Sequence, residues 1–313
     1  MKRVGAFVVK YAIALVLVAF AIILSIVAPN FLTLGNFQNI LLQVSVNGLL
    51  AIGATLTILT AGIDLSVGSL VAVTGIAAAL VAQQSGVSRF GESLVVGSAV
   101  GLALGAVNGA FVAFARIPPF VVTLGMMSIA RSIAYVLSQG QPISNLSNAF
   151  LALGQGAFLG VPYPVAITGI AFVCFAVVLT RTRFGRYVYA VGGNEEAATV
   201  SGVDTKVVKL SVYALSGLLA GIAGCVLASR ATAGLPSNGQ GYELTAIAAA
   251  VIGGTSLSGG RGTLLGTLAG VLILGIMSNG LDLLNVSPFY QGMIQGAIII
   301  GAVAIDGFVN RNS

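Results

Sequence analysis

The chain has 313 residues, of which 57% are hydrophobic and 7% charged, and it carries a net charge of +6 and no histidine. A mean hydropathy of +1.05 excludes a water-soluble globule with a polar surface. Without histidine, and with eight scattered acidic residues, the chain cannot assemble a metal site or a histidine-based catalytic system. We therefore expect a membrane protein that is not an enzyme and that holds no cofactor of its own.

Apolar stretches of about twenty residues predict an all-α bundle of about ten transmembrane helices, in a single domain over residues 1–313. The first stretch, Tyr11–Ala28, has no A-x-A cleavage site before Pro29, so we interpret it as an uncleaved span. The other nine predicted spans are Asn39–Thr60, Leu65–Ala82, Leu94–Ala115, Phe120–Ser138, Tyr163–Thr180, Val208–Ser229, Leu244–Leu257, Thr263–Leu281 and Tyr290–Ile305.

The basic residues predict the orientation of these spans. With ten spans and the N terminus inside, the cytoplasmic side holds all of the 14 Lys and Arg residues except Arg89 and Arg230 outside and Arg131 within a span. This excess predicts that both termini are cytoplasmic, and it explains the net charge without nucleic-acid binding.

Two charged residues near membrane depth are candidate functional residues, and each has two interpretations. Asp64 caps the helix predicted from Leu65, which its flanking glycines favour, or it binds a coupling ion. Arg131 needs a carboxylate or carbonyl partner, so it either pairs for structure or contacts a polar substrate.

Glycines and two similar segments predict how the spans are joined. Glycine recurs every four residues from Gly97 to Gly109, which predicts close helix packing rather than a pore lining. The segments Ala61–Leu70 and Gly253–Leu264 resemble each other and suggest a weak internal duplication. Gly254–Gly260 has the spacing of a phosphate loop, but Arg261 stands where Lys and Ser/Thr would be needed. We predict a tight turn there and no nucleotide site.

The densest cluster of charge lies at residues 181–209, which the predicted orientation places in the cytoplasm. Within it, good helix formers around Glu196, Ala197 and Ala198 are followed by Gly202. This pattern predicts a short surface helix ended by a turn. A short charged helix between membrane spans is suited to docking a soluble partner.

Three motifs resemble the ribose permease family, and the resemblance extends from about Pro29 to the final span. They are GIDLSVGS at residues 62–69, TRFGRYVYAVGGNE at residues 182–195 and VIGGTSLSGG at residues 251–260. Members of this family are the membrane subunits of bacterial ABC importers for monosaccharides. The resemblance implies a permease in the bacterial inner membrane that carries a monosaccharide into the cytoplasm, with ribose as the first candidate. It also implies a separate ATPase subunit that uses the ATP, an extracytoplasmic sugar-binding protein and a second permease copy, as a homodimer within the lipid.

The same resemblance assigns candidate sites. The loop at residues 181–209 is similar to the coupling loop that docks into the ATPase in this family; the alternative is a merely solvated amphipathic helix. The coupling residues implied are Gly193, Asn194, Glu195, Glu196, Ala197, Ala198 and Gly202. The pathway candidates are Asn47, Asp64, Asn108, Arg131 and Asn279. The three asparagine amides either exchange hydrogen bonds with sugar hydroxyls or join neighbouring helices.

Two other functions remain open. An ion-driven secondary transporter would use Asp64 as its ion site. An ABC permease could instead carry another pentose, a hexose, a nucleoside or a branched-chain amino acid.

Overall fold

The computed structural model describes residue 15, residues 17–83 and residues 89–311, and these residues are nearly all helical. Their thirteen helices are α1 Leu17–Val27, α2 Leu34–Leu59, α3 Val67–Ala82, α4 Arg89–Ala113, α5 Pro119–Ser138, α6 Asn148–Gln155, α7 Tyr163–Arg181, α8 Arg183–Gly193, α9 Glu195–Val200, α10 Thr205–Arg230, α11 Tyr242–Ile252, α12 Leu264–Leu283 and α13 Pro288–Arg311. A hairpin of two short antiparallel strands, β1 Ala157–Phe158 and β2 Val161–Pro162, joins α6 to α7.

A helix lies at each of the ten predicted spans, although the predicted residues 11–14 and 16 lie outside the described part of the chain. By length and composition, six of the described helices can cross a membrane: α2, α4, α5, α7, α10 and α12. The helices α1, α3 and α11 are apolar but shorter. The nearly all-α fold is therefore confirmed, whereas the number of ten spans and the internal duplication stay predictions.

Several helix ends differ from the predicted ones, and two of them lie at the similar segments, residues 61–70 and 253–264. Helix α11 ends at Ile252 rather than at Leu257, because Gly254 takes a left-handed φ of +85° that ends the helix. Helix α3 begins at Val67 rather than at Leu65. The segment between α11 and α12 is the predicted tight turn: the Ser256 N–H donates to the Arg261 carbonyl at 2.9 Å.

The core is built where α10 packs against α2, α3 and α4. The predicted glycine packing is confirmed between α4 and α10, because a Cβ on Gly101 would lie 2.3 Å from the Gly217 carbonyl oxygen. Such close backbone approach is the usual reason for small residues between membrane helices. At Gly292 and Gly296 of α13, by contrast, none of the described residues lies within 4 Å of an added Cβ.

Three distant segments meet at one end of the bundle, and we call their meeting point the glycine junction. It consists of Leu59 at the end of α2, Gly192 in α8 and Gly260 in the turn before α12. The Gly260 N–H donates to the Leu59 carbonyl at 3.0 Å. A Cβ on Gly192 would lie 1.7 Å from the same oxygen, so only glycine fits there. The junction connects α8 directly to α2, one of the helices of the core.

Candidate coupling surface and translocation path

The short helix predicted in the charged segment is present as α9, and local chemistry explains its ends. The Asn194 side chain caps it, with Oδ1 accepting from the Ala197 N–H at 2.8 Å. Gly202 follows with a left-handed φ of +84°, which ends the element as predicted.

Helix α9 is tied to the bundle on one side and open on the other. Ala198 is buried, and the Glu195 carboxylate forms an ion pair with Lys209 of α10 at 2.5 Å. Glu196 and Ala197 are exposed, and Val200 is 90% exposed. The free face of α9 therefore presents a carboxylate and an apolar tip to whatever lies beyond it.

A cavity of about 630 Å³ adjoins this free face. It lies between α9 and the turn that joins α4 to α5, and its lining includes Arg116, Lys206 and Glu196. The surface around α9 thus combines a groove, charges of both signs and exposed apolar area, which are features of a helix-in-groove interface.

Sequence reasoning missed α8, which precedes α9 and anchors it. Thr182 caps α8, and its Oγ1 accepts from the Gly185 N–H at 3.2 Å. The Tyr189 hydroxyl donates to the Gly262 carbonyl at 2.9 Å, and burial raises the pKa of Tyr189, so the donor keeps its proton. The apolar spacing of Phe184, Val188 and Val191 is the helical signal that would have predicted this element.

Asp64 lies in a buried polar cluster where α3, α4 and α10 meet. Its carboxylate accepts from the Ser66 N–H at 3.0 Å, the Ser66 hydroxyl at 2.6 Å and the Ser216 hydroxyl at 3.0 Å. The predicted cap is therefore wrong in position, because Ser66 occupies the cap site of α3 and Asp64 organises the residues just before it. With three donors from the protein, the carboxylate needs no ion to satisfy it.

Asn108 belongs to the same cluster rather than to an open path. It is fully buried, and its Nδ2 donates to the Ser66 hydroxyl at 2.9 Å. Its Oδ1 and the buried Tyr213 hydroxyl have no hydrogen-bond partner among the described residues. The cluster thus holds two polar atoms that an ordered water could satisfy.

Arg131 finds the carbonyl partners that its place in a span requires. Its Nη1 donates to the carbonyls of Pro236 and Asn238, both at 2.7 Å, and its Nη2 donates to the Gly68 carbonyl at 3.4 Å. These bonds fasten the loop between α10 and α11, and the first turn of α3, to α5. The contacts favour the structural interpretation of Arg131 over substrate contact.

Asn279 also has a structural partner. Its Nδ2 donates to the Asn36 Oδ1 at 2.8 Å, and the Asn36 Nδ2 donates back to the Asn279 Oδ1 at 2.9 Å. This reciprocal amide pair joins α12 to α2 in a buried position. Of the two interpretations given for the asparagines, helix joining fits Asn279.

Asn47 differs from the other two asparagines because it lines a cavity. The cavity has a volume of about 410 Å³ and is lined by residues of α2, α10, α11, α12 and α13. The Asn47 Oδ1 is buried and has no partner among the described residues. Polar residues that sequence reasoning missed line the same cavity: Gln43, Arg230, Tyr242, Thr245, Ser278 and Gln295. Their positions on five helices explain why no single motif revealed them.

Comparison with known proteins gives the family and several close relatives. The family model described as branched-chain amino acid transport system / permease component matches residues 36–303. The chain is 47% identical to the ribose import permease protein RbsC of Escherichia coli K12, over 93% of this chain and 91% of that protein. It is 46% identical to RbsC of Bacillus subtilis, over 91% and 88% of the two chains. It is 39% identical to the L-arabinose transport system permease protein AraH of E. coli K12, over 96% and 92%. No solved structure matches the chain significantly.

Proposed function

We propose that this chain, which belongs to the branched-chain amino acid transport system / permease component family, is the membrane subunit of an ABC importer for ribose. The observation that carries the proposal is the 47% identity to a ribose import permease over nearly the whole of both chains. The apolar helices and the charged, capped α9 support the proposal, because such a permease needs both a membrane domain and a surface that contacts its ATPase subunit.

In this proposal the chain is a single multi-pass domain of the bacterial inner membrane with ten spans and both termini in the cytoplasm. The distribution of Lys and Arg supports this orientation. The three shorter apolar helices, with α13, supply the spans beyond the six long ones.

The energy for transport comes from a separate ATPase subunit that docks on α9 and its neighbouring groove. ATP binding closes the ATPase, and α8 and α9 transmit the movement to α2 through the glycine junction. A sugar-binding protein delivers ribose from outside, and a second copy of this chain completes the pathway.

A charge placed on the free face of α9 tests this docking. Val200→Asp should lower ribose uptake at least tenfold, because a carboxylate would lose its hydration inside the interface. Val200→Thr keeps the shape of the side chain and serves as the matched control. Normal uptake by Val200→Asp at equal membrane levels would leave α9 a solvated helix.

Uptake of labelled ribose by cells that express the chain with its companion subunits tests the function itself. We expect uptake to stop when ATP is depleted and to survive an uncoupler that collapses the proton gradient. Uptake that follows the gradient would instead support an ion-driven transporter with Asp64 as its ion site.

Arabinose is the second candidate substrate, because an arabinose permease is 39% identical over most of the chain. Competition for labelled ribose uptake by unlabelled ribose, arabinose, xylose, galactose and leucine distinguishes the candidates. We expect ribose to compete best and leucine not at all.

A further inference from the structure

Two cavities lie along α2, and Arg230 lines both. The first, of about 500 Å³, lies between α2, α6 and the β-hairpin. The second is the cavity of about 410 Å³ that contains Asn47. The Arg230 Nη1 donates to the Leu42 carbonyl at 2.7 Å, which holds the guanidinium at the boundary between the two cavities.

Three amide side chains connect these cavities along one face of α2. Asn39 lines the first cavity, and Gln43 and Asn47 line the second. Residues four apart lie above one another on a helix, so the three amides form a row along one face of α2. We call this row, with Arg230 and the two cavities, the amide track.

The amide track ends blindly beyond Asn47. The next residues of α2, from Leu49 to Ile52, are at most 1% exposed. A solute that entered along the amides would stop at Asn47 until the surrounding helices moved. The amide track therefore has the form of a binding site that is closed at one end, rather than of an open channel.

The lining chemistry identifies the class of solute. Each amide offers both a donor and an acceptor, as a sugar hydroxyl does, and the guanidinium offers five N–H donors. The Asn47 Oδ1 is buried without a partner among the described residues, and a buried acceptor that is left unpaired favours the binding of a hydroxyl donor. The described residues that line the two cavities include no Asp or Glu, so an amino acid's ammonium group would find no carboxylate partner among them.

We propose that the amide track binds the sugar in transit, as a neutral aldose held by Gln43, Asn47 and Arg230 before the bundle opens on its other side. This proposal rests on the proposed function, because it presumes that the chain carries a sugar. It adds the residues that contact the sugar, and it assigns to Arg230 the boundary that the sugar must pass.

Ribose uptake by cells expressing the full importer tests the proposal through Asn47→Leu and Gln43→Leu. We expect each variant to lower the uptake rate at saturating ribose at least tenfold per permease in the membrane, while basal ATP hydrolysis by the complex stays within twofold. Asn47→Gln should restore most of the uptake. Thr57→Ser alters a polar side chain of α2 whose hydroxyl bonds the Gly53 and Ala54 carbonyls of its own helix, away from both cavities, and should keep normal uptake.

Thiol labelling provides a second measurement that does not depend on transport. In a Cys174→Ser chain, Gln43→Cys should react with a membrane-impermeant reagent, and excess ribose should slow this reaction several-fold while excess leucine should not. Leu49→Cys, at a buried position outside the track, should stay unreactive.

The outcomes separate the two proposals. Wild-type cells that take up no pentose would overturn the proposed function, and the amide track with it. Wild-type uptake of ribose together with full uptake by both leucine variants would overturn the track alone. An unreactive Gln43→Cys, or one protected by leucine rather than by ribose, would also overturn it.

Discussion

The asparagine side chains within this bundle have different roles, according to their hydrogen-bond partners. The amides of Asn36 and Asn279 satisfy each other, whereas Asn47 lines a cavity and its buried Oδ1 has no partner among the described residues. Both kinds of residue look alike in the sequence, as a lone amide in an apolar helix. Only the hydrogen-bond partners in the folded chain distinguish an amide that joins two helices from one that is a candidate for binding a solute.

A double-mutant cycle on Asn36→Leu and Asn279→Leu measures how much the hydrogen bonds between these two amides stabilise the protein. We expect a coupling free energy of about 0.6 to 1.7 kcal/mol, as found for hydrogen bonds between membrane helices. Unfolding of the purified permease by denaturing detergent gives the four stabilities. Additive effects of the two substitutions would contradict a stabilising pair.

Asp64 should tolerate loss of its charge but not loss of its hydrogen bonds. Asp64→Asn keeps an acceptor for Ser66 and should change the free energy of unfolding by no more than about 1 kcal/mol. Asp64→Leu leaves the hydroxyls of Ser66 and Ser216 without their acceptor and should cost about 1–3 kcal/mol for each group left unsatisfied.

The same two variants test the ion-site hypothesis. Thermal unfolding of the purified protein measures stability, and ribose uptake with and without sodium measures ion dependence. Asp64→Asn should transport ribose normally in both media. Loss of transport by a stably folded Asp64→Asn variant would support the hypothesis that Asp64 binds a coupling ion.

At the scale of elements, the glycine junction connects the charged surface to the core. Helix α2 has 26 residues and is therefore about 39 Å long, and it extends from the junction at Leu59 past Asn47. Under the proposed coupling, a displacement of α8 would be transmitted through this junction to the helix that carries the amide track. This connection gives the proposed coupling a physical route.

Gly192→Ala tests this route, because the added Cβ must displace the Leu59 carbonyl. We expect ATP hydrolysis to continue while ribose uptake falls at least fivefold at equal membrane levels. Gly169→Ala is the matched control, since a Cβ at that helical glycine meets nothing within 4 Å. Equal ratios of uptake to ATP hydrolysis in the two variants would exclude the junction from coupling.

At the scale of the whole molecule, the charge distribution and the hairpin predict opposite exposures for two residues. Val200 at the end of α9 should face the cytoplasm, and Leu159 in the β-hairpin should face the outside. Their side chains are 90% and 87% exposed, so each site is accessible to a thiol reagent.

Labelling of Val200→Cys and Leu159→Cys in a Cys174→Ser chain checks this orientation. An impermeant reagent should modify Leu159→Cys in intact cells and Val200→Cys only after the membrane is permeabilised. The reverse pattern would invert the proposed topology and move α9 away from any cytoplasmic ATPase.

The sequence by itself determined the membrane class, the places of the long apolar helices, the presence of α9 with its glycine stop, and the family. These properties depend on composition and on neighbouring residues, which a linear pattern contains. The tertiary structure decided that Arg131 binds carbonyls, that Asn279 pairs with Asn36, that Gly192 lies against Leu59, and that Gln43 and Arg230 share a cavity. Those contacts join residues far apart in the chain, so they exist only once the helices have packed.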